Sequence, residues 1–244
     1  LKEVLEDRFS FGGIHGRNHQ MRALLEKIKL IAATDAPVSL VGERGTGKEL
    51  VAHTIHLNSP RRDQPLIKMS CADVPDDLLE AELFGHEKGA FAGASRQRRG
   101  RLELAHKGTL FLDDVDALAP SLQTKLWEAV KARTFQRVGG RESVELDVRI
   151  ICASRQDLKE AVIKGRFRQD LADQLAAVQV SVPPLRERRE DILVIAEHVL
   201  ELNSGALNKS PKGFSQPSCE LLLHYTFPGN VEELEQMVAR AVAL

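Results

Sequence analysis

The tightest constraint on the fold is the run Gly42-Glu43-Arg44-Gly45-Thr46-Gly47-Lys48. It follows an apolar stretch, Val38 to Val41, and leads into a helical pattern with Leu50, Val51 and Ile55 on one face. A strand, a Gly-x-x-x-x-Gly-Lys turn and a helix, in that order, form a phosphate cradle. The glycines let backbone N–H groups close around a polyphosphate, the lysine reaches its outer phosphates, and the helix N-terminus adds a favourable dipole. The alternative, a glycine-rich turn that merely joins a strand to a helix, is outweighed by the flanking pattern. A generic loop of this kind continues with Ser or Thr to ligate Mg²⁺, whereas Glu49 follows here. The run implies that a nucleoside triphosphate is bound; it does not decide whether one is hydrolysed.

The rest of the chain alternates strands and helices up to about residue 180. Residues 18–33 place Met21, Leu24, Leu25, Ile28 and Ala32 on one helical face. A strand is expected at Leu66 to Met69 and a helix at Asp76 to Phe84, followed by a glycine-punctuated exposed loop or hairpin over Gly85 to Gly93. Gly108 to Asp114 is continuously apolar and ends in acid, as in a strand buried on both faces of a parallel sheet. Pro120 opens a helix at its favoured first position. Val148 to Ala153 is another buried strand, helices follow at about 157–164 and 168–176, and Val178 to Val182 is the last strand. Beyond Pro183-Pro184 only helical patterns remain, the last with Asn230 as its cap and Glu233 completing a capping box. The fold class is therefore α/β: a doubly wound domain over residues 1–180, then a small helical lid over 181–244. A polar helical pattern at the start and an amphipathic helix cut at Leu244 read as a segment of a longer protein.

The net charge of −1 supplies no global field for nucleic acid, and 5% aromatic residues supply no stacking platform for single strands. Cys71, Cys152 and Cys219 lie far apart, as free thiols in a reducing cytoplasm do. No apolar run approaches the length of about 18 residues that would suggest a membrane span. The eight histidines form no metal-ligand cluster, although His53 and His56 share a helix face. The run Arg96-Gln97-Arg98-Arg99-Gly100-Arg101 suits a solvated face or subunit contact better than a nucleic-acid site.

Several blocks together resemble one family. They are Gly42 to Glu49, Glu82 to Ala94 with its Gly89-Ala90-Phe91-Ala92-Gly93-Ala94 core, Gly108 to Asp114, Arg137-Val-Gly-Gly140, Gly165-Arg-Phe-Arg168, Pro183 to Arg188 and Phe227 to Val231. In this order and spacing they are similar to the central AAA+ domain of bacterial enhancer-binding proteins, the sigma-54-dependent activators. Glu49 after the loop lysine is usual there. The resemblance implies ATP or ADP bound with Mg²⁺, self-association up to a hexameric ring, and a loop at residues 89–94 that contacts sigma-54 RNA polymerase. It also implies a preceding regulatory domain and a following helix-turn-helix that binds DNA.

Residue by residue, the resemblance assigns Gly42, Glu43, Arg44, Gly45, Thr46, Gly47, Lys48 and Glu49 to the phosphates and Asp113 to Mg²⁺. Arg168 is the arginine finger offered to a neighbouring subunit. The remaining positions depart from the family. Asp114 replaces a water-positioning Glu and sits about 1–1.5 Å further back, an error that can cost on the order of a hundredfold in rate. Ser70 replaces an Asn, Ser154-Arg155 replaces Thr-Asn near the γ-phosphate with Ser154 keeping the hydroxyl as a catalytic candidate, Gln174 replaces a second finger, and Glu232 replaces a nucleotide-contacting Arg. Ala92 replaces the Thr of the sigma-contact loop, and Arg44 adds a cation where Ser is common. The changes at Arg155 and Glu232 nearly cancel in charge, so the two either form an ion pair in the nucleotide-bound form or are independent surface residues. Two readings stand: a module that binds ATP but hydrolyses it slowly or not at all, with polymerase carrying sigma-54 or another sigma factor as partner and a second small-molecule effector left open, or a competent ATP-driven remodeller of sigma-54 polymerase.

Overall fold

The computed structural model describes residues 10–11, 14–206 and 213–243; the expected helical pattern at the chain's start lies outside them. The chain forms two compact units. One comprises Lys29–Val41 and Ile55–Val180; the other comprises Leu1–Ile28, Gly42–Thr54 and Ser181–Leu244.

The first unit is built on a five-stranded sheet. Its strands are β3 (Val38–Val41), β4 (Leu66–Ser70), β7 (Thr109–Asp113), β10 (Arg149–Ser154) and β11 (Val178–Ser181), in the order β11-β3-β10-β7-β4; the short strands β1 (Ser10–Phe11) and β2 (Ile14–His15), and β8 (Thr134–Gln136) and β9 (Ser143–Glu145), form separate pairs. The pairs β3–β10, β10–β7 and β7–β4 are parallel. The central strands are the largely apolar ones: every residue of β10 is buried, Arg149 and Ser154 included, and so are the first four of β7. Helices α3 (Asp76–Phe84), α5 (Pro120–Ala132), α6 (Leu158–Ile163) and α7 (Gln169–Leu175) share the core through Leu79, Leu83, Leu122, Leu126, Leu158 and Leu171, packed with Leu110 and Leu112 of β7. Pro120 stands in the first turn of α5, where its missing N–H leaves no helical bond unmade.

Parallel pairing brings the strand ends to one edge. Ser154 lies opposite Val41, and Ser70 opposite Asp113. The acid that closes β7 and the residue that precedes Gly42 thus share the carboxyl edge of the sheet, where open α/β sheets bind their ligands. The segment Gly85 to Gly93 opens as expected into a hairpin base: β5 (Gly85–His86) pairs antiparallel with β6 (Arg98–Arg99).

In the other unit, helices α8 (Ile192–Ala206), α9 (Gln216–His224) and α10 (Asn230–Ala243) pack around Ile192, Ala196, Phe227, Leu234 and Val238. The capping box of α10 needs correction. Glu233 does reach back, its Oε2 accepting the N–H of Gly229 at 2.7 Å. Asn230 does not cap. Its φ is +54°, a left-handed conformation that Asn tolerates better than most residues, and its buried amide is used elsewhere.

Candidate functional site

In the phosphate-loop unit the glycines stand where the backbone demands them. Gly45 and Gly47 have φ of +75° and +96°, and a Cβ on Gly45 would lie 2.2 Å from the carbonyl oxygen of Gly229. Lys48 opens helix α2 (Lys48–Leu57) and is 7% exposed; its ammonium donates to the carbonyls of Gly42 and Glu43, both at 2.9 Å. The next three carbonyls are also taken. Asn230 Nδ2 donates to Arg44 O at 2.9 Å, Val231 N–H to Gly45 O at 2.9 Å, and Arg188 Nη2 to Thr46 O at 2.9 Å. Five successive carbonyls are thus engaged, whereas among the described residues no N–H from Glu43 to Gly47 donates a hydrogen bond. A loop whose oxygens are all satisfied and whose N–H groups are not is built to receive an anion.

Sequence reasoning left Arg186 and Arg188 without roles and misread that of Asn230. The Arg186 guanidinium grips the Glu43 carboxylate with two bonds of 2.6 and 2.7 Å, and Asn230 Nδ2 adds one of 3.2 Å. Arg186 beside it is the main reason the Glu43 carboxyl falls to about 2. Asn230 Oδ1 meanwhile accepts the N–H of Leu185 at 2.8 Å. The left-handed φ of Asn230, which places its amide over the loop, is visible only in the structure. Glu232 faces Arg44 at 3.8 Å, and both side chains are largely exposed. Glu49 is an exposed acid in the first turn of α2.

In the sheet unit, Asp113 ends β7 and its Oδ1 accepts the N–H of Asp114 at 3.0 Å. Asp114 itself is left-handed, with φ +49°. Arg155 closes on Asp114 with one edge of its guanidinium, Nε to Oδ1 at 3.1 Å and Nη2 to Oδ2 at 3.3 Å, and the contact raises the Arg155 pKa. The reason is reach: Arg155 follows the end of β10, and Asp114 follows the end of the neighbouring strand β7. Ser154, expected to offer a hydroxyl to phosphate, is fully buried and donates it to the carbonyl of Gln156 at 2.7 Å. Arg168 is held by Asp170 at 2.6 Å, donates to Thr124 Oγ1 at 3.1 Å and lies over the Trp127 ring. Gln174 is exposed on α7.

The loop at residues 89–94 is closed by Gly89 N–H to Ala94 O at 2.8 Å. Phe91 is 40% exposed and packs edge-on against His86, with ring centroids 4.9 Å apart. Gly139 explains the Arg137-Val-Gly-Gly block: a Cβ there would meet the Cβ of Ala90 at 2.8 Å, so the loop's footing tolerates only hydrogen. Arg137 ties that footing to Glu87 and Glu103 at 2.9 and 3.0 Å. In the nearby arginine run, Arg98, Arg99 and Arg101 each have an acidic partner, Glu82 or Glu103, which favours the solvated-face reading. His56 is buried against the Thr109 hydroxyl, and among the described residues no His, Cys, Asp and Glu group could hold a metal by itself. No helix among them is long and apolar enough to cross a membrane.

Comparison with known proteins fits this geometry. Residues 14–181 match the family described as the Sigma-54 interaction domain, and residues 186–244 match the AAA+ ATPase lid domain. The chain is 48% identical over 232 residues to the transcriptional regulatory protein ZraR of Klebsiella oxytoca, covering 95% of this chain and 52% of that protein. It is 45% identical over 244 residues to the nitrogen fixation protein AnfA of Azotobacter vinelandii, covering 100% and 46%. A crystal structure of NtrX from Brucella abortus in complex with ATP superposes with a TM-score of 0.88 at 33% identity, covering 99% of this chain and 52% of that one. The chain spans about half the length of the curated relatives it matches.

Proposed function

Since the chain belongs to the Sigma-54 interaction domain family, continued by an AAA+ ATPase lid, we propose that it is the ATP-binding module of a bacterial transcription regulator and that it hydrolyses ATP weakly. The observation that carries the binding half is the state of the phosphate loop. Its five carbonyls are engaged, its N–H groups from Glu43 to Gly47 are unengaged among the described residues, and the Lys48 ammonium is buried beside them. These residues fit a polyphosphate, as ATP or ADP, and the NtrX structures in complex with ATP and with ADP support the same choice. Asp113 is the residue to hold Mg²⁺, which would neutralise phosphate charge there.

The hydrolytic half is weakened at Asp114, Arg155, Gln174 and Glu232. Arg168 remains as the finger for a neighbouring copy in an assembly ranging from dimer to hexameric ring. The loop at residues 89–94 contacts the polymerase, with the sigma contact reduced by Ala92. DNA is reached through a domain outside this segment, and the module works in the cytoplasm.

Fluorescent ATP-analogue titration tests the binding half. Loss of a buried, hydrogen-bonded cation costs about 2–5 kcal/mol, so Lys48→Ala should weaken affinity about 30- to 4,000-fold. Equal affinity in both proteins would refute the phosphate-site assignment. Capture of sigma-54 polymerase by the Ala92→Thr variant but not by the parent would support the loop reading. Equal, strong capture by both would favour a competent remodeller.

A further inference from the structure

Arg155 and Asp114 each stand on a rigid mount. The turn that carries Arg155 is fixed by the buried Ser154 hydroxyl on Gln156 O at 2.7 Å. It is fixed again at Asp157, whose Oδ1 accepts the N–H of Lys159 at 2.9 Å and whose Oδ2 accepts from Gln179 Nε2 at 3.1 Å. The Gln156 side chain is held in turn by Arg166 and Lys164, at 3.2 and 3.3 Å. Across from it, Asp114 is locked in its left-handed conformation by its own N–H on Asp113 Oδ1 at 3.0 Å and by Ala117 N–H on its carbonyl at 2.9 Å. Exposed ion pairs contribute little mainly because two long side chains must be ordered to form them. Here one partner is short and both backbones are already fixed, and the contact is two-pronged, the geometry in which Arg–carboxylate pairs are strongest.

We infer that Arg155 is an intramolecular latch on Asp114, a positioning residue that holds this carboxylate away from the water that attacks bound ATP. The inference rests on the nucleotide-site reading above. In hydrolysis the water oxygen bonds to the γ-phosphorus while the bond to the bridging oxygen breaks, giving ADP and phosphate; the proton of water leaves through the nearest acceptor or solvent. An acid that orients this water must swing its carboxylate to it and offer a lone pair with undiminished negative charge. A guanidinium spanning both oxygens removes the swing and neutralises the charge. The shortened side chain and the latch therefore act together: Asp114 starts too far back and is also tied down.

Steady-state ATP turnover and ATP-analogue affinity should be measured for the parent chain, Arg155→Asn, Asp114→Asn and the double variant. Removing the latch should raise kcat about three- to tenfold while the affinity changes less than about threefold. The gain should vanish in the Asp114→Asn background, because Arg155 works only through that carboxylate. Arg155→Lys, with one point charge in place of the two-pronged grip, should fall between parent and Asn. An unchanged or lower kcat in Arg155→Asn would overturn the latch, as would a gain that persists without Asp114. A fall in nucleotide affinity with kcat unchanged would make Arg155 a phosphate contact instead. Nucleotide affinity indifferent to Lys48→Ala would overturn the underlying site reading, and the latch with it.

Discussion

The phosphate loop and the acid turn after β7 are both polar, both carry a left-handed residue and both are held by an arginine, yet the arginines act on different targets. On the loop side, Arg186 and Arg188 bind groups that should not touch phosphate: the Glu43 carboxylate and the Thr46 carbonyl. By doing so they leave the loop's N–H groups for an anion. On the acid side, Arg155 binds the Asp114 carboxylate itself, the group expected to do chemistry. The same side chain thus prepares one region for its ligand and occupies the reactive group of the other. On the proposed reading, the loop grips its ligand and the acid turn stays closed.

The comparison breaks most severely at Gly45. Gly45→Ala would force a left-handed alanine whose Cβ lies 2.2 Å from the carbonyl oxygen of Gly229. The cost should be about 3 kcal/mol or more, read as a lower urea midpoint, and the nucleotide affinity should fall with it. The matching change on the acid side, Asp114→Gly, meets no such backbone and relieves a left-handed φ of +49°. Its stability should stay within about 1 kcal/mol of the parent.

A smaller effect is expected at Asn230. Truncation to Ala leaves the buried N–H of Leu185 and the Arg44 carbonyl without their partner. Unfolding free energy should drop by about 1–3 kcal/mol. The Asn230→Asp variant keeps an acceptor for Leu185 but places a carboxylate beside Glu43, so it should recover only part of that loss.

The smallest effect is at Glu43, and it is pH-dependent. Its carboxyl is lowered from an ordinary 4.5 to about 2, chiefly by Arg186. A lowered folded-state value means that the ionised form stabilises the fold. The contribution is complete above pH 4.5 and is lost as pH falls toward 2. The pair is over 40% exposed, so the parent should exceed Glu43→Gln by only about 0.5–1 kcal/mol near neutrality. That margin should shrink through the acid range; a margin that grows on acidification would contradict the assignment.

Much of this was legible in the sequence, for identifiable reasons. The buried strands β7 and β10 announce themselves because parallel strands covered on both faces are largely apolar runs. The phosphate loop is legible because glycine is the residue that supplies φ > 0 at Gly45 and Gly47 without strain. What stayed hidden depends on pairings between segments far apart in the chain. Asn230 looked like a cap because Asn often is one, and only its placement over the loop shows that its amide is needed there. Strand order, which charge counting cannot see, delivers Arg155 to Asp114. Ser154 kept the family's hydroxyl, but a buried turn uses it.

The proposed combination of a kept grip with arrested chemistry is checked by measuring ATP turnover and ATP affinity on the same preparation. Misplacement of the water-orienting acid by about 1 Å predicts turnover near 0.1 s⁻¹ or lower, about a hundredfold below the common median near 10 s⁻¹, beside affinity that Lys48→Ala weakens about 30- to 4,000-fold. Turnover of about 10 s⁻¹ that disappears in Lys48→Ala would contradict it, and would make this chain a working motor.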